Sequence, residues 1–88
     1  MESLAGYLDE IKKRKELETD TQLAALLKVS RQHVSRIRAG DYMGEEKCFE
    51  IADLLGIEPL EIISLNWAIR AKNKKISKYW MKIHEEFL

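Results

Sequence analysis

The apolar residues of this chain recur at intervals of three and four and nowhere alternate. That spacing lines up one face of an α-helix and cannot line up one face of a strand. Between the periodic stretches stand helix-starting residues (Ser, Thr, Asp) and helix-stopping glycines. With one Pro and four Gly in 88 residues, little chain is left for long loops, so the apolar 45% has to be buried by stacking short helices. The expected class is all-α. A chain of this length supports one modest core and is too short for a deep cleft with its own lid.

Leu4, Leu8 and Ile11, with Tyr7 beside them, predict a first helix over about 3–15, its acids early and its Lys/Arg late, as the helix dipole favours. In TDTQLAALLK, Thr19 followed by Gln22 fits a capping box, with Asp20 an alternative cap, and opens about two turns carrying Leu23, Ala24, Leu26 and Leu27. Ser30 offers the next cap, for a helix from Arg31 to about Ala39 that Gly40 ends; Val34 and Ile37 form its inward face. Gly44 precedes a helix with acids in its first turn and an inward stripe of Cys48, Ile51, Ala52 and Leu55, stopped by Gly56. Pro59 suits the first turn of a fifth helix, over about 59–72, that is apolar almost all round and wants neighbours on more than one side. In the tail, Ile76, Tyr79, Trp80, Ile83 and Phe87 fall on a single helical stripe.

The formal charge is zero, but it is segregated. Residues 21–40 hold four bases and no acid, residues 41–66 hold seven acids against Lys47 alone, and residues 67–88 return to six bases and two acids. A neutral chain can therefore present a basic face, and the local pattern says more about partners than the sum. The lone Cys48 excludes an intramolecular disulfide and fits a reducing compartment. The start MESLAGYLDE is acidic where a signal peptide is basic, and no apolar run approaches the ~20 residues that span a bilayer. A soluble, cytoplasmic protein with no membrane role is expected.

The densest cationic stretch is SRQHVSRIRAG, residues 30–40, in which Arg31, Gln32, His33, Ser35, Arg36 and Arg38 share the outward side of one short helix. A short helix, a tight turn, then a second helix with such a face describes a helix-turn-helix. Arg matches the O6/N7 acceptors of guanine in the major groove, and Gln matches N6/N7 of adenine. The bland alternative is a merely solvated helix face.

QLAALLKVSRQHVSRIRAG, followed by the acidic helix and LLGIEPLEII, resembles the Cro/repressor (XRE-type) DNA-binding family of phage and bacterial regulators over about residues 4–65. The pattern is carried by Leu23-Ala24, Val29-Ser30, Val34, Ser35 and Gly40. The resemblance implies a lambda-repressor-like five-helix domain, here over 1–66, with an additional C-terminal helical extension over 67–88. It places Arg31, Gln32 and Arg36 at base-reading positions with Ser30 and Ser35 close by, and Thr21, Gln22, Lys28, His33 and Arg38 at backbone-contacting ones. Three positions depart from the pattern. Lys28 stands at a turn position usually held by Gly. Asp20 stands where a phosphate-gripping Gln is common, so Asp20 is expected to cap while Thr21 or Gln22 takes the phosphate. Arg38 replaces a frequent Glu, which could reverse a salt bridge to the first helix, with Asp9 or Glu10 as partner.

A lone helix-turn-helix offers little surface, and such proteins commonly bind two half-sites as dimers. The aromatic stripe of the tail either folds back on its own core or packs on a second copy; with Trp67 and Ile69 it forms the candidate dimerisation set (Trp67, Ile69, Ile76, Tyr79, Trp80, Ile83, Phe87). His33, His84, Asp53 and Cys48 lack metal-ligand spacing, Cys48 has no histidine near it in sequence, and no Gly-rich phosphate loop is present, so neither an enzyme nor a cofactor is expected. The leading reading is a homodimeric phage or prophage repressor on a pseudo-palindromic DNA operator. Its rivals are an antitoxin that autoregulates its operon, the tail stripe gripping a toxin, and a protein-interaction module that kept the fold without binding DNA. An anti-repressor is a further possible protein partner.

Overall fold

The computed structural model describes residues 3–88 as six α-helices, α1 (Leu4–Arg14), α2 (Asp20–Leu27), α3 (Arg31–Arg38), α4 (Glu45–Leu55), α5 (Pro59–Arg70) and α6 (Lys74–Glu85), with no strand among them. Each begins where a local signal says it should. The Thr19 hydroxyl accepts from the Gln22 amide at 3.1 Å while the Gln22 side chain accepts from the Thr19 amide at 3.2 Å, completing the capping box. Thr19, and not Asp20, is the cap of α2. Ser30 accepts from the His33 amide at 3.0 Å and starts α3. Asn73 accepts from Lys75 and Ile76 and starts α6.

Helices α1 to α4 end alike. An amide two or three places beyond the helix reaches back five residues: Leu17 to Lys12, Val29 to Ala24, Asp41 to Arg36, Ile57 to Ala52. The residue before each of those amides has positive φ: Glu16 at 55°, Lys28 at 58°, Gly40 at 105° and Gly56 at 66°. This is the Schellman closure, which Gly normally serves because it lacks the Cβ that crowds the left-handed region. The turn after α2 is therefore the ordinary one, and Lys28 adopts it despite its side chain. Two of the carbonyls left over at helix ends are met from elsewhere by cations: Arg14 Nη1 donates to Leu55 O at 2.6 Å, and Lys47 Nζ to Leu27 O at 2.7 Å.

The core gathers Leu4, Tyr7, Leu8 and Ile11 of α1, Leu23 of α2, Val34 of α3, Ile51 of α4 and Ile62 and Leu65 of α5, all sealed from solvent. Burying each large aliphatic side chain is worth roughly 1.5–3 kcal/mol. Helix α5 lies against α1, α4 and α6, which is why its sequence is apolar nearly all round. It stops at Arg70, with Ala71 in an extended conformation, two residues short of the expected end. The proposed division at residue 66 falls inside this uninterrupted helix.

Helix α6 packs on α5 through a face beside its aromatic stripe, and Trp80 of the stripe also meets Trp67 of α5. The contact face is Ser77, Met81 and His84. Ser77 Oγ donates to Ala68 O at 2.7 Å, the ring Nδ1 of fully buried His84 donates to Glu61 O at 2.7 Å, and Met81 rests on the core. Hydroxyl and imidazole donors find carbonyls along α5, while Ile76, Tyr79 and Phe87 of the stripe stay exposed.

Candidate nucleic-acid interface

Helices α2 and α3 are joined by Lys28, Val29 and Ser30 alone, and Val29 tucks its side chain against the core. The short joint makes α3 cross α2 with Val34 and Ile37 turned inward. Its helical period then puts Arg31, Gln32, Ser35 and Arg36 on the open side, all exposed. These four are brought together on one surface, with Ser30 at its N-terminal edge.

The cations of this surface are not neutralised internally: among the described residues neither Arg31 nor Arg36 enters an ion pair. Arg36 Nη2 lies 3.4 Å from His33 Nδ1. His33 is half-buried, and its Nε2 is sealed without a hydrogen-bond partner, so this ring is less open than its neighbours. Thr21 and Gln22 are exposed at the start of α2, and Lys28 is exposed at the joint. The oxygen of Gln22 is occupied by the Glu18 and Thr19 amides, which leaves its amide nitrogen for an outside acceptor.

Arg38 behaves differently. Its Nε meets Asp20 Oδ2 at 2.7 Å, and its Nη2 reaches Asp20 Oδ1 at 2.9 Å and Asp9 Oδ1 at 2.8 Å. Lys12 adds a contact to Asp20 at 3.3 Å. Of the two uses considered for Arg38, the ion pair to the first helix is the one seen, with Asp9 and not Glu10 as partner. Glu10 pairs with Arg14 instead. Asp20 takes no part in capping through its side chain; it gathers α1 and α3 at the start of α2. Hydrogen bonding from Arg38 holds its carboxyl below the ordinary value, against the opposing effect of partial burial. The guanidinium of Arg38 is thus spent on holding α3 in place.

Two residues outside the expected set shape the surface. Asn66 of α5 is fully buried and embraces Met43, accepting from its amide and donating to its carbonyl, both at 2.8 Å. That clamp fixes the loop leaving α3. Lys47, the only base in the acidic segment, caps α2 and pairs with Glu50 at 2.9 Å. Neither is legible locally, since a buried Asn and a lone Lys have no sequence signature of their partners.

A helix-turn-helix family model, HTH_3, matches residues 11–62, from the middle of α1 into α5. The match takes in α2, the joint and α3 entire, and more than half of the chain. This protein belongs to the XRE-type, Cro/repressor-like helix-turn-helix family. It is a DNA-binding regulator, and α3 is the second helix of the motif. Comparison with curated proteins and with solved structures finds no match. The C-terminal part of α5 and all of α6 lie beyond the matched region of this XRE-type protein. No helix among the described residues is long and apolar enough to cross a membrane. No group of three or more His, Cys, Asp or Glu side chains among them is placed to hold a metal ion.

Proposed function

We propose that the protein is a transcriptional repressor of the phage or prophage kind, which binds a pseudo-palindromic operator as a homodimer and blocks polymerase. Arg31, Gln32 and Arg36 read base edges, with Ser30 and Ser35 beside them. Thr21, Gln22, Lys28 and His33 hold the backbone and thereby the register. Arg38 is the strut that keeps α3 at its angle. The observation that carries this reading is the exposed α3 face, whose two arginines are free of internal ion pairs in a protein of zero net charge. A merely solvated face would be expected to mix both signs.

Selection of bound fragments from a random duplex library at near-physiological salt tests it. Recovery of an inverted repeat with half-site centres about 34–36 Å apart is the expected result. Arg31→Ala or Arg36→Ala should then cost ~1–3 kcal/mol and relax specificity at one position. Enrichment of no sequence, with only weak salt-sensitive binding, rejects the repressor reading and favours the interaction module.

An antitoxin role draws on a different observation, the apolar outer side of α6, where Ile76 is 51% and Tyr79 60% exposed. A second protein co-purifying in equal amount would favour it.

A further inference from the structure

The stripe on α6 is left open by the packing of the helix itself. Ile76, Tyr79 and Phe87 are exposed, Trp80 and Ile83 are half-buried, and the stripe lies about a quarter-turn from the Ser77, Met81, His84 face that meets α5. Apolar side chains gathered this way on a surface mark a contact yet to be made.

Three features of this face point to a second copy of the same chain. Lys75 and Glu86 flank the stripe on the same side, three turns and about 16 Å apart along the axis, with Lys82 exposed between them. Phe87, 37% exposed, follows the last turn of α6 at its C-terminal end. At its N-terminal end lies a concavity of about 310 Å³ walled by Trp67, Arg70, Ala71, Ile76 and Trp80. The indole Nε1 of Trp67 is sealed from solvent there and has no hydrogen-bond partner. A knob at one end, a hole at the other, and opposite charges on one flank are self-complementary under a two-fold axis perpendicular to antiparallel helices. That axis carries each flank onto itself while exchanging the ends. A parallel pairing would instead set knob against knob and bring together the lysine-rich ends, Lys72, Lys74, Lys75 and Lys78.

We propose that α6 pairs antiparallel with α6 of a second copy, Lys75 of each facing Glu86 of the other and Phe87 of each seating in the other's concavity beside Trp67 and Ile76. The proposal rests on the homodimer reading above and specifies its geometry. Trp67 packs edge-on against Trp80, ring centroids 4.5 Å apart, and Tyr79 against Trp80 at 5.2 Å, so the aromatic surface offered to the second copy is already set in place.

Sedimentation equilibrium of the full chain tests it through charge exchange. Lys75→Glu and Glu86→Lys each place like charges together twice in a two-fold dimer and should weaken association about tenfold. The double variant should return to within about threefold of the original. Orientation is read by oxidation: Ile76→Cys combined with Phe87→Cys should give a covalent dimer, whereas Ile76→Cys alone should not. The native Cys48 is buried and does not compete. A chain that stays monomeric at operator-binding concentrations overturns the homodimer reading and this geometry with it. A dimer indifferent to both charge reversals, a double variant weaker than either single one, or cross-linking of Ile76→Cys to itself overturns the antiparallel geometry alone.

Discussion

Arg38 and Asp20 are joined by two hydrogen bonds, Nε to Oδ2 at 2.7 Å and Nη2 to Oδ1 at 2.9 Å, across the angle between the two helices of the DNA-binding motif. The same guanidinium holds Asp9 of α1 at 2.8 Å, so one side chain at the end of α3 ties down three helices. A forked, charge-assisted pair fixes direction as well as distance. Arg38 acts as a structural strut, and it neutralises the Asp20 carboxylate at the start of α2.

Removing either partner leaves the other partly buried with only its second contact, Asp9 for Arg38 and Lys12 for Asp20. Arg38→Ala or Asp20→Ala should destabilise the fold by about 1–2 kcal/mol, a modest figure because both groups keep some contact with water. Urea unfolding checks this. The DNA affinity of Arg38→Ala should fall without any change in which sequence is preferred.

The Asp20 carboxyl is held below its ordinary value near 3.8, first by the Arg38 hydrogen bond. A depressed folded-state value means the contribution is fully present above the unfolded value and is lost as pH falls through the folded one. The stability gap between the original chain and Asp20→Asn should therefore be constant from neutral pH down to about 4 and shrink on further acidification. Unfolding free energies at several acidic pH values would read it, and a gap that widens in acid would refute the assignment.

Lys28 and Gly56 close α2 and α4 with the same hydrogen bonds and nearly the same backbone angles, φ 58° and 66°. Only Lys28 bears a Cβ in that conformation. Lys28→Gly should raise stability by about 0.5–1 kcal/mol while lowering affinity for DNA. If Lys28 meets a phosphate, the salt dependence of binding should flatten by about 0.9 in log–log slope. Stability and affinity moving in opposite directions is the expected signature.

Asn66 answers both polar groups of Met43 from within the core. Asn66→Ala would strand a buried donor and a buried acceptor and should cost about 2–4 kcal/mol. Thermal unfolding reports the size of the effect. A cost below about 0.5 kcal/mol would mean that the loop after α3 is held by something else.

Burial, with a smaller contribution from the charge of Glu45, pushes the Cys48 thiol up to about 12. It should stay unlabelled by maleimide in the native protein near pH 8 and react fully in urea. Labelling of the native chain at the rate of a free thiol would show that α4 opens.

The order, ends and inward faces of the first four helices were legible in the residues themselves. Capping by Thr19 and Ser30, closure at Gly40 and Gly56, and the spacing of Val34 and Ile37 are all settled within one or two turns of chain. The exposed quartet Arg31, Gln32, Ser35 and Arg36 follows from the same local period, because an inward Val34 and Ile37 oblige the rest to face out. What depends on two distant segments meeting was not legible. The strut from Arg38 to Asp20, the clamp of Asn66 on Met43 and the burial of His84 each satisfy a polar group on another helix, and nothing in either stretch of sequence names the other. The tail shows the distinction most sharply. Its sequence determined an amphipathic helix with one aromatic stripe, but the side facing α5 was decided by carbonyls at Glu61 and Ala68 that only the folded helix presents. Hydrophobic spacing says which residues share a face; only the packed structure says which face is covered.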